Sequence, residues 1–246
     1  MIFEFAITIL AFIAGATASL AGFGIGSLMT PALTGQLGAS LAIAAISISH
    51  FFGTLLRFWK LKSHIDRKTL IHFGLLSAAG GLTGAGLHAF ISSRQMAFIL
   101  GCMLVFAGLT GLFGFSEKIK LKGPAAWIAG ALSGFFGGLV GNQGGIRSAA
   151  LMGFDLSKQA YVATATAIAL IVDISRMPVY FFMERQRLSQ ILPLILLMSL
   201  GTMAGTLAGT HLLSRISEKF FKRFVSGIVL MLGVFTLIQA FLTVNH

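Results

Sequence analysis

The sequence predicts an all-α, polytopic membrane protein that consists of two repeats of one unit. The first observation is composition: 56% of the residues are hydrophobic and 10% are charged, whereas soluble domains carry about a quarter charged residues. The second is eight hydrophobic segments, which approach or exceed the roughly 18 to 20 residues that span a bilayer as a helix. The third is an internal repeat. The segments are 3–20, 41–56, 69–91, 96–113, 125–140, 161–182, 191–213 and 224–242.

The internal repeat is centred on two glycine-rich stretches. Shifting the chain by 119 residues lays 13–27 over 132–146 and aligns glycines and a leucine at matching positions. Self-similarity over such a distance indicates a duplicated unit. We therefore expect one transmembrane repeat at 1–115 and a second at 125–246, joined by the basic segment 116–124. The aligned pairs are Gly15 with Gly134, Leu20 with Leu139, Gly22 with Gly141, and Gly26 with Gly145.

The Lys and Arg residues distinguish two topologies. If every segment crosses once, ten of them fall on one face and seven on the other. If each glycine stretch is the tip of a hairpin that returns to its own side, the second repeat is inverted and the division becomes thirteen against Arg94, Arg185 and Arg187. The positive-inside rule favours the second topology and places both termini outside the cytoplasm. Tips at mid-depth and tips that cross the bilayer give the same parity. The thirteen are Arg57, Lys60, Lys62, Arg67, Lys68, Lys118, Lys120, Lys122, Lys158, Arg215, Lys219, Lys222 and Arg223.

The glycine tips are the predicted binding site. A broken helix persists in a bilayer only where protein or a water-filled cavity surrounds its unpaired backbone groups, and transporters with inverted repeats bind substrate at such breaks. The glycines would offer backbone amides, the two side-chain amides would add neutral donors, and Arg147 would add a fixed fork for an oxyanion. In the alternative interpretation glycines only permit close helix packing, which we expect for 80–86 and 201–209. The candidate residues at the tips are Gly24, Gly26, Asn142, Gln143, Gly144, Gly145 and Arg147.

Arg176 lies inside an apolar segment, where a charge costs a few kcal/mol. Asp173 stands three positions earlier on the same helical face, so a local ion pair is expected. This pairing is compatible with a contact between Arg176 and the substrate, and both interpretations are kept. Arg57, which aligns with Arg176 in the other repeat, lies beside "FWKLK" and is expected to snorkel towards the interface.

Hydroxyl and imidazole groups follow the tips along the chain. Ser47 and Thr166 occupy aligned positions and would either line a polar cavity or bond to their own helix backbone. His50, and with it His88 and His211, are the candidate proton carriers, because histidine titrates between pH 5 and 8. The alternative is that each histidine is only a satisfied hydrogen-bonding group.

Several classes of function are not supported by the sequence. The single cysteine, Cys102, allows neither an intrachain disulfide nor a cysteine metal cluster, and no metal or cofactor is expected. The net charge is +11, but the 18 Lys and Arg residues are scattered among short loops and form no single basic stripe. This distribution argues against nucleic-acid binding. No nucleotide-binding loop is present, so a proton or the membrane potential is the expected energy source.

The combination of these motifs resembles one known family. A duplicated unit with a glycine-rich tip, followed by "TPAL" (30–33) and by a small, hydroxyl-rich helix "ATATAIAL" (163–170), is similar to the sulfite exporter TauE/SafE family. The resemblance implies transport of sulfite, organosulfonates or carboxylates across the cytoplasmic membrane, with an anion site at 22–27 and 141–147. The sequence departs from that pattern in the second tip, which lacks the following proline and introduces Arg147.

The expected function is therefore secondary transport of a small anion, with alternating access at a midplane site between the two repeats. Protons are a candidate coupling ion. The alternatives are a membrane scaffold or assembly factor, in which the glycines serve packing alone, and a membrane-embedded enzyme. An enzyme would need a nucleophile with a base or a metal cluster, and the sequence has no such motif.

Overall fold

The computed structural model describes residues 2–21, 24–114, 123–142, 144–151, 154, 156–212 and 218–242. These residues form ten α-helices and one short 3-10 helix, Lys62–His64, and no β-strand. The α-helices are α1 Ile2–Ala21, α2 Ile25–Leu37, α3 Ala39–Leu61, α4 Arg67–His88, α5 Ser93–Leu112, α6 Pro124–Val140, α7 Gly144–Leu151, α8 Lys158–Gln190, α9 Leu192–Leu212 and α10 Glu218–Leu242.

Six of these helices are long and apolar enough to cross a membrane, namely α1, α3, α4, α5, α8 and α9. Two shorter apolar stretches, α6 and residues 229–242 of α10, accompany them. All eight predicted hydrophobic segments therefore fall on helices, and the all-α prediction is confirmed for the described residues. Large apolar side chains such as Phe5, Phe90 and Phe182 point outwards, as contact with lipid requires. The basic joining segment 116–124 lies mostly outside the described residues.

Helices from the two halves of the chain pack on each other. α4 packs against α6, and α9 packs against α1. α5 packs against α10 at the periphery, and α3 packs against α8 in the centre. α8 also contacts α4, and α3 also contacts α9. The interior polar residues described below lie on the two central helices and on the short helices α2 and α7.

Glycines allow the closest of these contacts. A methyl group at Gly84 of α4 would overlap the carbonyl oxygen of Phe135 on α6, and one at Gly205 of α9 would overlap that of Phe12 on α1. The backbones of each pair therefore approach to a distance that only glycine permits, as in other membrane helix pairs. The predicted packing role of 80–86 and 201–209 is confirmed.

The α4–α6 contact provides a stability test with a control on the same helix. We expect Gly84→Ala to lower the free energy of unfolding by about 1–3 kcal/mol, because the added methyl forces the two backbones apart. Gly86, two residues later, has open space where a Cβ would stand. Gly86→Ala should leave stability unchanged or raise it slightly, because alanine favours the helix by up to about 1 kcal/mol. Thermal unfolding in detergent measures both, and equal unfolding temperatures would contradict the packing described.

Candidate functional site

Two helix breaks lie in the interior. α1 ends at Ala21 and α2 begins at Ile25, after Gly24 with a φ of +138°. α6 ends at Val140, and α7 begins at Gly144, after Gly141 in the left-handed region at φ +75°. Only glycine adopts such angles without strain. The predicted break within 138–150 is therefore present, while residues 22, 23 and 143, Gln143 among them, lie outside the described part of the chain.

The two breaks contact each other. Ser27 Oγ donates a hydrogen bond of 3.2 Å to Asn142 Oδ1, across 115 positions of sequence. Gly26 lies against the carbonyl oxygen of Gly141, and any side chain there would overlap that oxygen. Asn142 is buried. Gly26 and Asn142 thus lie at the contact of the two breaks, Gly24 directly precedes α2, and Gly144 and Gly145 form the first turn of α7.

Side chains from other helices cap the end of α6 at the second break. The last carbonyls of an α-helix have no partner within the helix and need one elsewhere when they are buried. Polar side chains supply it for residues 138 and 139, and a third side chain adds a second bond to the carbonyl of Gly137, which already accepts from the amide of Gly141 at 3.1 Å. Two of the three side chains come from α8 and one from α4. The pairs are Arg176 Nη1 with the carbonyl of Gly137, Tyr180 Oη with that of Gly138, and His88 Nδ1 with that of Leu139, the last at 3.0 Å.

Asp173 is the centre of a buried polar network and has no exposed surface. Its Oδ1 accepts hydrogen bonds from Arg176 Nε at 3.1 Å and Nη2 at 2.8 Å, which confirms the expected local ion pair. Its Oδ2 lies 2.6 Å from His50 Nδ1 on α3. Thr54, one turn further along α3, lies 3.4 Å from the same nitrogen. The three groups Asp173, Arg176 and His50 therefore form one unit that joins α3 to α8.

Arg57 is buried, with 2% of its surface exposed, so the prediction that it snorkels to the interface is wrong. The reason is that α3 packs along α8, which turns Arg57 towards that helix instead of towards lipid. Its Nε donates to Thr166 Oγ1 at 2.9 Å. Thr166 in turn donates to the carbonyl of Val162, and Ser47 donates to its own helix backbone, as one of the two interpretations expected. Among the described residues, Arg57 Nη1 is buried without a hydrogen-bond partner.

Arg147 completes a cluster of buried arginines. It is 1% exposed, like Arg176, and lies in the first turn of α7. Its charge interacts with those of Arg57, Arg176 and Asp173. Three guanidinium groups therefore share an interior region in which the described residues place one carboxylate. Buried guanidinium charges of this kind need negative charge or hydrogen-bond acceptors around them.

Comparison with known proteins identifies the family of the chain. The family model described as "Sulfite exporter TauE/SafE" matches residues 7–236 of the 246. The chain belongs to the TauE/SafE family. The resemblance drawn from the glycine tips is thereby confirmed, and the protein is a multi-pass membrane protein of a family of membrane exporters. No curated protein and no solved structure matches the chain significantly.

This TauE/SafE chain contains a second polar network. Of its residues, only His88 was a candidate functional residue from the sequence. Ser40 Oγ lies 2.5 Å from Glu184 Oε1 and 2.9 Å from His88 Nε2. Arg187 Nη1 donates to Glu184 Oε2 at 3.1 Å. Glu184 follows the last apolar stretch of α8 and therefore resembled a loop residue in the sequence. A partly buried serine at the start of α3 gave no signal of its own.

The structure has surface clefts that lie apart from the arginine cluster. Two surface clefts, of about 690 and 400 Å³, are lined by α5 with α10 and by α3 with α8, and the buried arginines line neither of them. Among the residues described here, no three His, Cys, Asp or Glu side chains come together as a metal site requires. The side chain of His211 is not among those described.

Proposed function

We propose that the chain is a secondary transporter that moves a small oxyanion across the cytoplasmic membrane by alternating access between two inverted repeats. The observation that carries the proposal is the cluster of three buried arginines with one carboxylate at the contact of the two helix breaks. An oxyanion such as sulfite would bring negative charge and several acceptor oxygens to these guanidinium groups. Organosulfonates and carboxylates present the same kind of oxygen atoms to an arginine fork.

Different arginines have different roles in this site. Hydrogen bonds from Arg176 go to Asp173 and to the end of α6, so we assign it mainly to positioning the break, with its charge contributing to the field. Arg147 and Arg57 supply the charges that the anion meets. Arg57 holds Thr166 with Nε and keeps Nη1 for a ligand.

The helix breaks would supply neutral donors. The hydrogen bond from Ser27 occupies Asn142 Oδ1 and leaves the Nδ2 group for an anion. The first turns of α2 and α7, at Gly26 and at Gly144 and Gly145, provide backbone amides and the positive ends of two helix dipoles. α2 begins without a side-chain cap, which leaves those amides for a ligand. Gln143 is proposed as a further donor from its place in the sequence.

The helix packing supports two repeats related by a two-fold exchange. With α1–α5 matched to α6–α10, the contact of α4 with α6 corresponds to that of α9 with α1, and the contacts α3–α8 and α5–α10 correspond to themselves. Rocking of one repeat against the other would open the buried cluster to each side in turn. The distribution of Lys and Arg supports an inverted arrangement with both termini outside the cytoplasm. Protons are the proposed coupling ion, with His50 and Asp173 beside the anion.

Transport assays in proteoliposomes test the proposal. Purified protein should exchange radiolabelled external sulfite for unlabelled internal sulfite, and should do so at a rate well above that of protein-free liposomes. Replacing the lumenal sulfite with sulfoacetate or acetate then ranks these anions by the rate of labelled sulfite uptake that each supports. Sulfite should also raise the unfolding temperature of the detergent-solubilised protein, because a ligand that binds only the folded state stabilises it. A folded protein that neither exchanges nor is stabilised by any of these anions would favour the scaffold alternative.

A further inference from the structure

In the second polar network Ser40 takes part in two hydrogen bonds, although its hydroxyl has one hydrogen to donate. Ser40 lies at the start of α3, His88 at the end of α4 and Glu184 near the end of α8. Ser40 Oγ is 2.9 Å from His88 Nε2 and 2.5 Å from Glu184 Oε1. All three groups come from different helices and are at most partly exposed, with Glu184 at 8%.

The proton positions follow from the partners. His88 Nδ1 lies 3.0 Å from the carbonyl of Leu139, which only accepts, so Nδ1 carries a hydrogen. In neutral imidazole Nε2 is then an acceptor. An ionised Glu184 is an acceptor as well. Two hydrogen bonds to Ser40 therefore need two hydrogens, and its hydroxyl has one. The second hydrogen is an extra proton, carried by His88 Nε2 as imidazolium or by Glu184 as a carboxylic acid.

The surroundings of His88 contain charges of both signs. Burial works against a charge on this ring, while from α8 Glu184 attracts a proton to it and Arg176 repels one. The Tyr180 ring, also from α8, lies 5.0 Å from the His88 ring, and α6 contributes the Leu139 carbonyl. α3 contributes the Ser40 hydroxyl. On the far side of Glu184, Arg187 binds the other carboxylate oxygen. His88 therefore lies near a carboxylate, the carboxyl end of a helix and a buried arginine.

We infer that His88, Ser40 and Glu184 form a proton-binding site, and that the last turn of α6 couples this site to the anion site. The coupling rests on the proposed function, whereas the bound proton does not. The extra proton passes along the triad when Glu184 gives its proton to Ser40 Oγ while Ser40 gives its hydroxyl hydrogen to His88 Nε2. The products are a carboxylate, an unchanged serine and an imidazolium, so atoms and charge balance.

The geometry provides a route to the surface. α8 is 33 residues long, about 50 Å as a helix, and exceeds the hydrocarbon core of about 30 Å. Its final turns therefore emerge from the bilayer. Arg187, the partner of Glu184, has a side chain that is 54% exposed. Glu184 thus connects water at this end of α8 with the buried His88.

The coupling acts through the end of α6. His88 and Arg176 bind carbonyls of the same helical turn, directly before the break at Gly141. A positive charge on His88 stabilises that helix end through the helix dipole and at the same time repels Arg176. Gain or loss of the proton thus changes the balance of forces on the break that carries Asn142 and leads into α7 with Arg147. Proton binding and anion binding would then influence each other's affinity equally.

Glu184→Gln is the discriminating variant. The glutamine amide donates to Ser40, and Ser40 then donates to neutral His88, so both hydrogen bonds survive without the extra proton. In proteoliposomes with a pH gradient across the membrane, this variant should accumulate at least about tenfold less sulfite than the parent. Ser40→Ala should show the same loss. Sulfite exchange without a gradient should fall much less than this accumulation, because neither residue contacts the anion and only the coupling is lost. His72→Gln, at an exposed position of α4, is the matched control. A tenfold change is about 1.4 kcal/mol.

The outcomes separate the two proposals. If Glu184→Gln and Ser40→Ala accumulate sulfite under the gradient like the parent, the proton site has no role in coupling while the transporter assignment stands. If the parent itself does not exchange sulfite, the proposed function fails. The bound proton is then tested alone by nuclear magnetic resonance of protein with nitrogen-labelled histidine. Near neutral pH the Glu184→Gln variant should show His88 only as neutral imidazole. A spectrum of His88 unchanged from the parent at every pH would overturn the proton site.

Discussion

Arg147→Ala is expected to reduce sulfite exchange in proteoliposomes by about 10-fold to 100-fold. Charge-assisted hydrogen bonds contribute about 1.5–3 kcal/mol each, and 1.4 kcal/mol corresponds to a factor of ten. Arg147 is 1% exposed and lies in the first turn after the second helix break, so its guanidinium acts where water does not screen it. The measurement is the initial rate of exchange of radiolabelled sulfite at a fixed amount of reconstituted protein.

Two further variants separate charge, shape and folding. Arg147→Lys keeps the charge but not the planar fork, and should retain an intermediate rate. Arg67→Ala removes an exposed arginine from the first turn of α4 and should exchange sulfite like the parent. Size-exclusion profiles of all three establish that each is folded. Exchange by folded Arg147→Ala at the parent rate would remove Arg147 from the site.

Asp173→Asn should lower the free energy of unfolding by about 3–5 kcal/mol, the usual cost of breaking a buried ion pair by removing one partner. Asp173 has no exposed surface and binds both His50 and Arg176. Its neutralisation would leave three buried arginines without the carboxylate that the described residues place among them. The measurement is the thermal or denaturant unfolding of the purified variant in detergent.

A matched control and a second substitution make this result specific. Asp66 caps the start of α4 by accepting a hydrogen bond of 2.8 Å from the amide of Thr69, and asparagine caps a helix equally well. Asp66→Asn should therefore change stability little. Adding Arg176→Met to Asp173→Asn removes one of the uncompensated charges and should recover part of the loss, as a double-mutant cycle would detect. A stability of Asp173→Asn equal to that of Asp66→Asn would show that the cluster is not held by this carboxylate.

The sequence predicted those features that depend on neighbouring residues along the chain. Hydrophobic segments of bilayer length became helices, because a backbone in lipid must satisfy its own hydrogen bonds. The glycines of the second tip produced a break after Val140, and those of 80–86 a close helix contact. The spacing of Asp173 and Arg176 correctly gave their ion pair. Each of these depends on a local pattern that a single sequence carries in full.

Contacts between distant helices were not predictable in the same way. His50 and Asp173 are 123 positions apart, and Ser40 and Glu184 are 144 apart. Nothing in the local pattern around Arg57 distinguishes a side chain that faces α8 from one that reaches the interface, since both environments accept a long side chain with a polar end. Which helices become neighbours decides these pairings, and that depends on the packing of the whole chain.

The most direct measurement of the central claim is the position of a bound anion in an experimental structure. Selenite, a heavier analogue of sulfite, can be located by its anomalous scattering in crystals of the protein. Its oxygens should lie at hydrogen-bond distance, about 2.7–3.2 Å, from the guanidinium of Arg147, between the first turns of α2 and α7. A selenite found only in a surface cleft such as that beside Arg94, with the interior cluster empty at saturating concentration, would contradict the account.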